Sequence, residues 1–109
     1  VYRGLNVYEN TGDIGNEYVY RQPDGENVLT TENQIAEIRV VEQSAYRAVI
    51  ESVIRWEIPA EADATFEVEK RQMVPFTERT ARRVERKVPL VLTTTYTLEA
   101  GSGMVKVHT

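Results

Sequence analysis

The chain has 109 residues, of which 41% are apolar and 28% are charged, and its net charge is −4 at pH 7. This length allows one domain with a modest core, the acidic balance argues against a nucleic-acid partner, and no apolar run reaches the ~20 residues that a membrane-spanning helix needs. The absence of cysteine excludes disulfides and a thiol nucleophile, and the single histidine, His108, is interpreted as structural.

The first distinctive segment spans residues 8–25 and predicts a rigid loop that leads into a strand. Tyr18 and Tyr20 alternate around a valine, which predicts a strand with both tyrosines on one face. These residue types suit either the wall of a site, where a phenol donates to a sugar or similar polyol, or a turn with amphipathic tyrosines at the rim of a core. Three residues are expected to shape this loop. Gly12 and Gly15 allow backbone angles that other residues resist, and the Asp13 carboxylate accepts from nearby N–H groups.

Four later segments are predicted to form antiparallel strands, because apolar and polar residues alternate in them with a period of two. They are residues 34–43, 48–58, 88–99 and 104–108. The first could instead contain part of a short helix over residues 30–37, whereas Pro59 ends the second and a Gly-Ser-Gly turn at 101–103 joins the last two. One face of the sheet is predicted to form the core, with these residues pointing inward: Ile50, Ile54, Trp56, Leu90, Leu92, Leu98, Val105 and Val107.

Residues 59–80 are interpreted as an irregular insert, in which Ala60–Ala64 has a helical composition but is too short for a stable helix. The overlapping run Thr77–Lys87 holds five basic residues. We interpret it as a solvated strand or turn balanced by Glu78 and Glu85, rather than as an anion or nucleic-acid patch, because no aromatic residue is interleaved to stack a base.

The prevalence of strand patterns predicts an all-β fold, an antiparallel β-sandwich-like domain over residues 1–109 with room for one short helix. The chain starts without a methionine, and its final alternating pattern is followed by no turn or helix signal. We therefore expect the domain to be excised from a larger multidomain protein, whose other parts would cover the edges of the sheet.

The loop sequence also resembles a known enzyme family. Residues 9–18, Glu-Asn-Thr-Gly-Asp-Ile-Gly-Asn-Glu-Tyr, and the Pro-Asp-Gly at 23–25 resemble the start of the β-rich region C-terminal to the catalytic domain in glycoside hydrolase family 38 α-mannosidases. The bacterial type, which includes mannosylglycerate-hydrolase-like enzymes, is the most similar. The strand pair over residues 88–101 and 105–109 resembles the same region.

This resemblance implies a parent enzyme that is a retaining α-mannosidase, with its nucleophile and its zinc ligands in a preceding α/β domain. It implies no catalytic residue, metal ligand or cofactor in this chain, and it makes the catalytic domain of the same chain and, through it, the mannoside the expected partners. By resemblance, Tyr18 enters the pocket and binds a sugar hydroxyl, while Gly12, Asp13 and Gly15 shape its approach.

Two hypotheses about function follow. In the first, the chain is a non-catalytic β domain of an enzyme that hydrolyses terminal α-mannosides, where it completes the sugar-binding pocket and supports the catalytic domain. In the second, it is a non-catalytic β-sandwich module that binds carbohydrate or protein. The 109-residue chain alone is expected to be inactive, a cytoplasmic location is expected, and oligomer formation stays open.

Overall fold

The structure is a computed structural model that describes residues 6–109, and strands predominate in this part of the chain. The predicted all-β class is confirmed, with antiparallel sheets and one α-helix among the described residues. No helix between residues 6 and 109 is long and apolar enough to cross a membrane. The elements are β1 (Glu9–Asn10), β2 (Leu29–Thr30), β3 (Ala36–Gln43), β4 (Arg47–Pro59), α1 (Ala64–Arg71), a 3-10 turn (Phe76–Glu78), β5 (Lys87–Glu99) and β6 (Val105–His108).

The chain divides into two compact units. The first unit contains the residues up to Glu32 together with Glu57–Val88, and it holds β1, β2, α1 and the 3-10 turn. The second unit contains Asn33–Trp56 and Pro89–Thr109. The single sandwich-like domain over residues 1–109 stays a prediction.

In the second unit the four predicted strands are confirmed as β3, β4, β5 and β6, which follow one another in an antiparallel sheet. The helical alternative for the start of β3 is wrong, since Ala36 already pairs with Ile54. One extra residue, Val41, interrupts the β3–β4 ladder. Val40 lies opposite Ile50, whereas Glu42 lies opposite Val49, so the ladder contains a β-bulge.

The predicted core is only partly correct. Trp56 is buried, at 7% exposure, but Ile50 is 41% exposed. Val49, which alternation places on the opposite face, is buried instead. Alternation identifies which residues share a face, but it carries no information about what packs against that face. Three other residues predicted to point inward are also exposed: Leu98, Val105 and Val107.

In the first unit the segment predicted to be irregular contains α1. Asp63 begins this helix, because its carboxylate accepts from the Thr65 N–H at 3.0 Å. The Asp63 N–H also donates to the Arg82 carbonyl at 2.7 Å, and the Arg82 N–H donates to the Asp63 carboxylate at 3.2 Å. A helix of eight residues is marginal in isolation, so these contacts with a distant part of the chain account for a helix that composition did not predict.

Candidate functional site

The segment that carries Tyr18 is a closed loop, here called the Tyr18 loop (residues 13–21). The Ile14 N–H donates to the Arg21 carbonyl at 2.8 Å, and the Asn16 N–H donates to the Val19 carbonyl at 3.0 Å. The Ile14 side chain anchors the loop, since it is fully buried. The predicted strand at Tyr18 is wrong, because this backbone is the returning side of a tight loop and is not part of a strand.

Two polar side chains hold the loop from within. Oδ1 of Asp13 accepts from the Gly15 N–H at 2.8 Å and from the Arg21 N–H at 3.1 Å. Oδ1 of Asn16 accepts from the N–H groups of Tyr18 and Val19 at 2.9 and 3.0 Å. Each side chain therefore satisfies two backbone N–H groups that have no backbone acceptor within the loop. This arrangement is consistent with the loop-shaping role predicted for Asp13.

The structure explains the glycines at positions 12 and 15 differently from the prediction. Neither Gly12 nor Gly15 has a φ in the left-handed region, so unusual backbone angles do not explain them. A Cβ at Gly15 would lie 1.8 Å from the Val19 carbonyl oxygen and 2.9 Å from the Arg21 nitrogen. A Cβ at Gly12 would lie 3.0 Å from three side-chain atoms. Glycine is needed at position 15 because the backbone on the opposite side of the loop approaches so closely, whereas at position 12 the space is limited by side chains.

Tyr18 projects from the tip of the loop and is 92% exposed. Tyr20 is also exposed, and its hydroxyl donates to Oγ1 of Thr11 at 2.9 Å. The loop therefore fixes the backbone of Tyr18 while its phenol is open to solvent. This exposure permits contact with a ligand or another part of a protein, and the substrate-binding role of Tyr18 stays a prediction.

An arginine that sequence analysis did not select holds the loop from outside. Nη1 of Arg79 donates to the Ile14 carbonyl at 3.0 Å and also to the Gly15 carbonyl. Its Nε donates to the Val74 carbonyl at 3.3 Å. The other side of the loop is held by Arg21, whose Nη1 donates to the Phe76 carbonyl. Four backbone carbonyls are thus bound by two guanidinium groups.

The rest of the basic run also contacts distant segments. Arg83 pairs with Glu26 and donates to the Asn10 side chain, and the side chains of this ion pair are largely buried. Arg86 pairs with Glu61 at 2.6 Å in an exposed position. The partners of these two arginines are therefore distant in the chain, and not the neighbouring Glu78 and Glu85 that were expected to balance the run. The basic run thus connects parts of the first unit.

Glu69 is the buried residue of α1, at 7% exposure. Its Oε1 accepts from the Thr80 N–H at 2.6 Å and from the Thr80 hydroxyl at 2.9 Å, and its Oε2 accepts from the Ala81 N–H at 3.4 Å. Burial alone would raise the pKa of Glu69, but the hydrogen bonds from Thr80 and Ala81 and the charge of Arg79 outweigh it. The pKa is therefore lowered from its ordinary value, and the ionised acceptor is the stable form.

A cleft of about 480 Å³ opens beside the loop, and its lining carries two carboxylates and two cations. The Phe66 ring lies within it, with Nζ of Lys70 5.1 Å and the guanidinium carbon of Arg79 5.6 Å from the ring centroid. Such a lining can bind hydroxyl groups through both donors and acceptors. The lining residues are Asp13, Gly15, Asn16, Glu17, Phe66, Lys70 and Arg79.

The described residues do not fit a zinc site. Between residues 6 and 109, no three His, Cys, Asp or Glu side chains lie close enough together to hold a metal ion. His108 lies exposed in β6, opposite Thr95. The zinc that the resemblance implies for a parent enzyme therefore has no ligand set in this part of the chain.

The comparisons with known proteins agree with the loop motif. No protein-family model matches the chain. Over 107 residues, which are 98% of this chain and 12% of the relative, it is 36% identical to a candidate mannosylglycerate hydrolase of Halalkalibacterium halodurans. An α-mannosidase structure from Enterococcus faecalis V583 is 35% identical, with a TM-score of 0.86 over 91% of this chain. The chain matches part of a family 38 glycoside hydrolase.

A second Enterococcus faecalis structure, described as a protein of glycosyl hydrolase family 38, has the same identity, TM-score and coverage of this chain. The resemblance predicted from the loop and the strand pair is thereby confirmed. The chain spans only 11–12% of the length of these relatives.

Proposed function

We propose that this family 38 segment is a non-catalytic β-rich part of a retaining α-mannosidase, where it completes the sugar-binding pocket and supports the catalytic α/β domain. The observation that carries the proposal is the match to an α-mannosidase structure at a TM-score of 0.86 and 35% identity. In this proposal the acid, the nucleophile and the zinc belong to the catalytic domain, the substrate is a terminal α-mannoside, and the enzyme is cytoplasmic.

The contribution of this segment is the Tyr18 hydroxyl. The side chain is 92% exposed, whereas its backbone is fixed by Asn16 and by the closed loop. A ligand that binds this phenol therefore orders only a side chain, which lowers the entropic cost of the contact. A tyrosine suits a sugar, because its ring packs against the apolar side of a pyranose while its hydroxyl donates to a hydroxyl group.

The test is Tyr18→Phe in a full-length enzyme that carries this sequence. A hydrogen bond to a neutral sugar is worth ~0.5–1.5 kcal/mol, so kcat/KM for an aryl α-mannoside should fall roughly 3- to 10-fold at an unchanged Tm. The matched control is Tyr46→Phe, a tyrosine 79% exposed in the turn between β3 and β4, which should leave kcat/KM unaltered. Full activity of Tyr18→Phe, or a loss that only follows the Tm, would refute the role.

The second candidate is a non-catalytic module that binds carbohydrate or protein. The exposed apolar residues of the four-stranded sheet favour it, among them Ile38 and Val40 of β3. The two candidates differ in what the isolated chain does. Under the first, it neither turns over an aryl α-mannoside in the presence of zinc nor binds mannose. Saturable mannose binding by the isolated chain would favour the second.

A further inference from the structure

The internal hydrogen bonds of the Tyr18 loop close it but do not set its direction. The bonds from Ile14 to Arg21 and from Asn16 to Val19 both join one side of the loop to the other. A loop held only in this way can turn as a rigid body about its base. The direction in which Tyr18 points must therefore depend on contacts between the loop and the remainder of the first unit.

Arg79 makes such a contact at the place where the chain enters the loop. Its guanidinium donates to the carbonyls of Ile14 and Gly15 and, through Nε, to the carbonyl of Val74. A guanidinium is planar and its donors have fixed directions, so bonds to three carbonyls define an orientation as well as a distance. A lysine ammonium at the same position would keep the charge but lose this directional constraint.

Glu69 in turn places Arg79. The residue that follows the arginine, Thr80, donates both its N–H and its hydroxyl to Glu69, and Ala81 donates its N–H. Ala81 is completely buried, so this backbone has little freedom. The carboxylate that fixes the loop anchor therefore comes from α1, and a continuous set of contacts leads from the helix through Glu69 and Arg79 to the loop.

The carboxylate at this position accepts from three donors of Thr80 and Ala81. Burying an ionised group costs solvation, but an apolar side chain packed there would leave these donors without an acceptor. A carboxylate adds acceptors in defined directions, which an apolar side chain cannot supply. A carboxylate at position 69 is therefore suited to fixing the backbone next to Arg79.

We infer that Glu69 and Arg79 are positioning residues, which hold the Tyr18 loop so that the phenol of Tyr18 points to the sugar. This inference rests on the proposed function, because the benefit of positioning is expressed through Tyr18. It adds to that function a coupling between Arg79 and Tyr18, in which the arginine affects activity only through the tyrosine.

A double-mutant cycle in the full-length enzyme tests the coupling. Arg79→Lys should lower kcat/KM by no more than Tyr18→Phe does, roughly 3- to 10-fold, since it acts through the same hydrogen bond. In the Tyr18→Phe background, Arg79→Lys should have no further effect. The control is Arg86→Lys, an arginine of the same basic run whose ion pair with Glu61 is exposed, and it should be silent in both backgrounds. The inference would be overturned if the losses from Arg79→Lys and Tyr18→Phe were additive in the double variant, or if Arg79→Lys alone left kcat/KM unchanged.

Amide hydrogen exchange of the 109-residue chain tests the contacts without any activity. Glu69→Ala should speed exchange at Thr80 and Ala81 by roughly ten-fold or more, since bonds to charged groups are worth at least that factor. Faster exchange should also reach Ile14, and Glu69→Gln, which keeps one acceptor oxygen, should restore part of the protection. Unchanged exchange at Ile14 would overturn the inference. A silent Tyr18→Phe with the expected exchange pattern would refute the proposed function and leave the contacts supported.

Discussion

Replacing Gly15 by alanine probes the closest approach in the Tyr18 loop. The added Cβ would meet the Val19 carbonyl oxygen at 1.8 Å, and contacts below 3.0 Å are essentially never seen, so the two sides must separate by at least 1.2 Å. The obstructing atoms belong to the backbone and have no rotamer in which to escape. Separation breaks the bonds from Ile14 to Arg21 and from Asn16 to Val19. At ~0.5–1.5 kcal/mol for each net hydrogen bond, we expect a loss of about 1–3 kcal/mol in the free energy of unfolding.

Two other glycines provide matched controls. A Cβ at Gly12 would meet only side-chain atoms, each at 3.0 Å, so Gly12→Ala should cost less because side chains can move. A Cβ at Gly103 would meet nothing within 4 Å, and its φ is not in the left-handed region. Gly103→Ala should be neutral or stabilise by up to ~1 kcal/mol through reduced freedom of the unfolded chain.

The assay is urea denaturation of the three variants, read by circular dichroism so that both units contribute to the signal. The slope of the unfolding free energy against urea concentration must be the same for each variant. The expected order of midpoints is Gly103→Ala above Gly12→Ala above Gly15→Ala. For a chain of this size, about 1–3 kcal/mol corresponds to a fall in Tm of roughly 5–15 °C. A midpoint for Gly15→Ala equal to that of Gly103→Ala would show that the loop opens without cost, and would refute the close-approach explanation.

Two further predictions concern buried side chains. Trp56→Ala should lower the free energy of unfolding by ~3–5 kcal/mol in the same denaturation experiment read by circular dichroism, and an unchanged midpoint would show that Trp56 contributes little packing. Because the folded-state pKa of Glu69 lies below its ordinary value of 4.5, its stabilising effect is complete above that value and is lost as the pH falls through the folded pKa. The stability difference between Glu69→Gln and the unmodified chain should therefore be constant at neutral pH and shrink as the pH is lowered below 4.5, and a difference that stays constant throughout would contradict this assignment.

The strands of the second unit could be predicted from the sequence because their signal is local. Period-two alternation and a Gly-Ser-Gly turn located β4, β5 and β6 to within about two residues. The position of the loop could also be predicted, since its motif lies in one short stretch. In both cases the residues that define the structure are neighbours in the chain.

The contacts that hold the loop could not be predicted in the same way. Arg79 and Gly15 are 64 residues apart, and the acceptor is a backbone carbonyl that every residue carries. No feature of the sequence distinguishes that carbonyl from others. Helix α1 was missed for a related reason, since Asp63 and Glu69 obtain their partners from residues 80–82. A glycine that is needed for close approach is likewise indistinguishable from one that is needed for its φ.

The bulge in β3 affects how this strand can change in length. Val40 and Glu42 lie on opposite faces of the sheet although they are two positions apart, because Val41 is an additional residue in the ladder. If Val41 were deleted, Val40 could stay opposite Ile50 and Glu42 opposite Val49 in an uninterrupted ladder. An insertion or deletion elsewhere in β3 would move a whole set of side chains to the other face. Position 41 is thus the point at which this hairpin can lose one residue while every other pairing is retained, and an alignment gap in β3 belongs there.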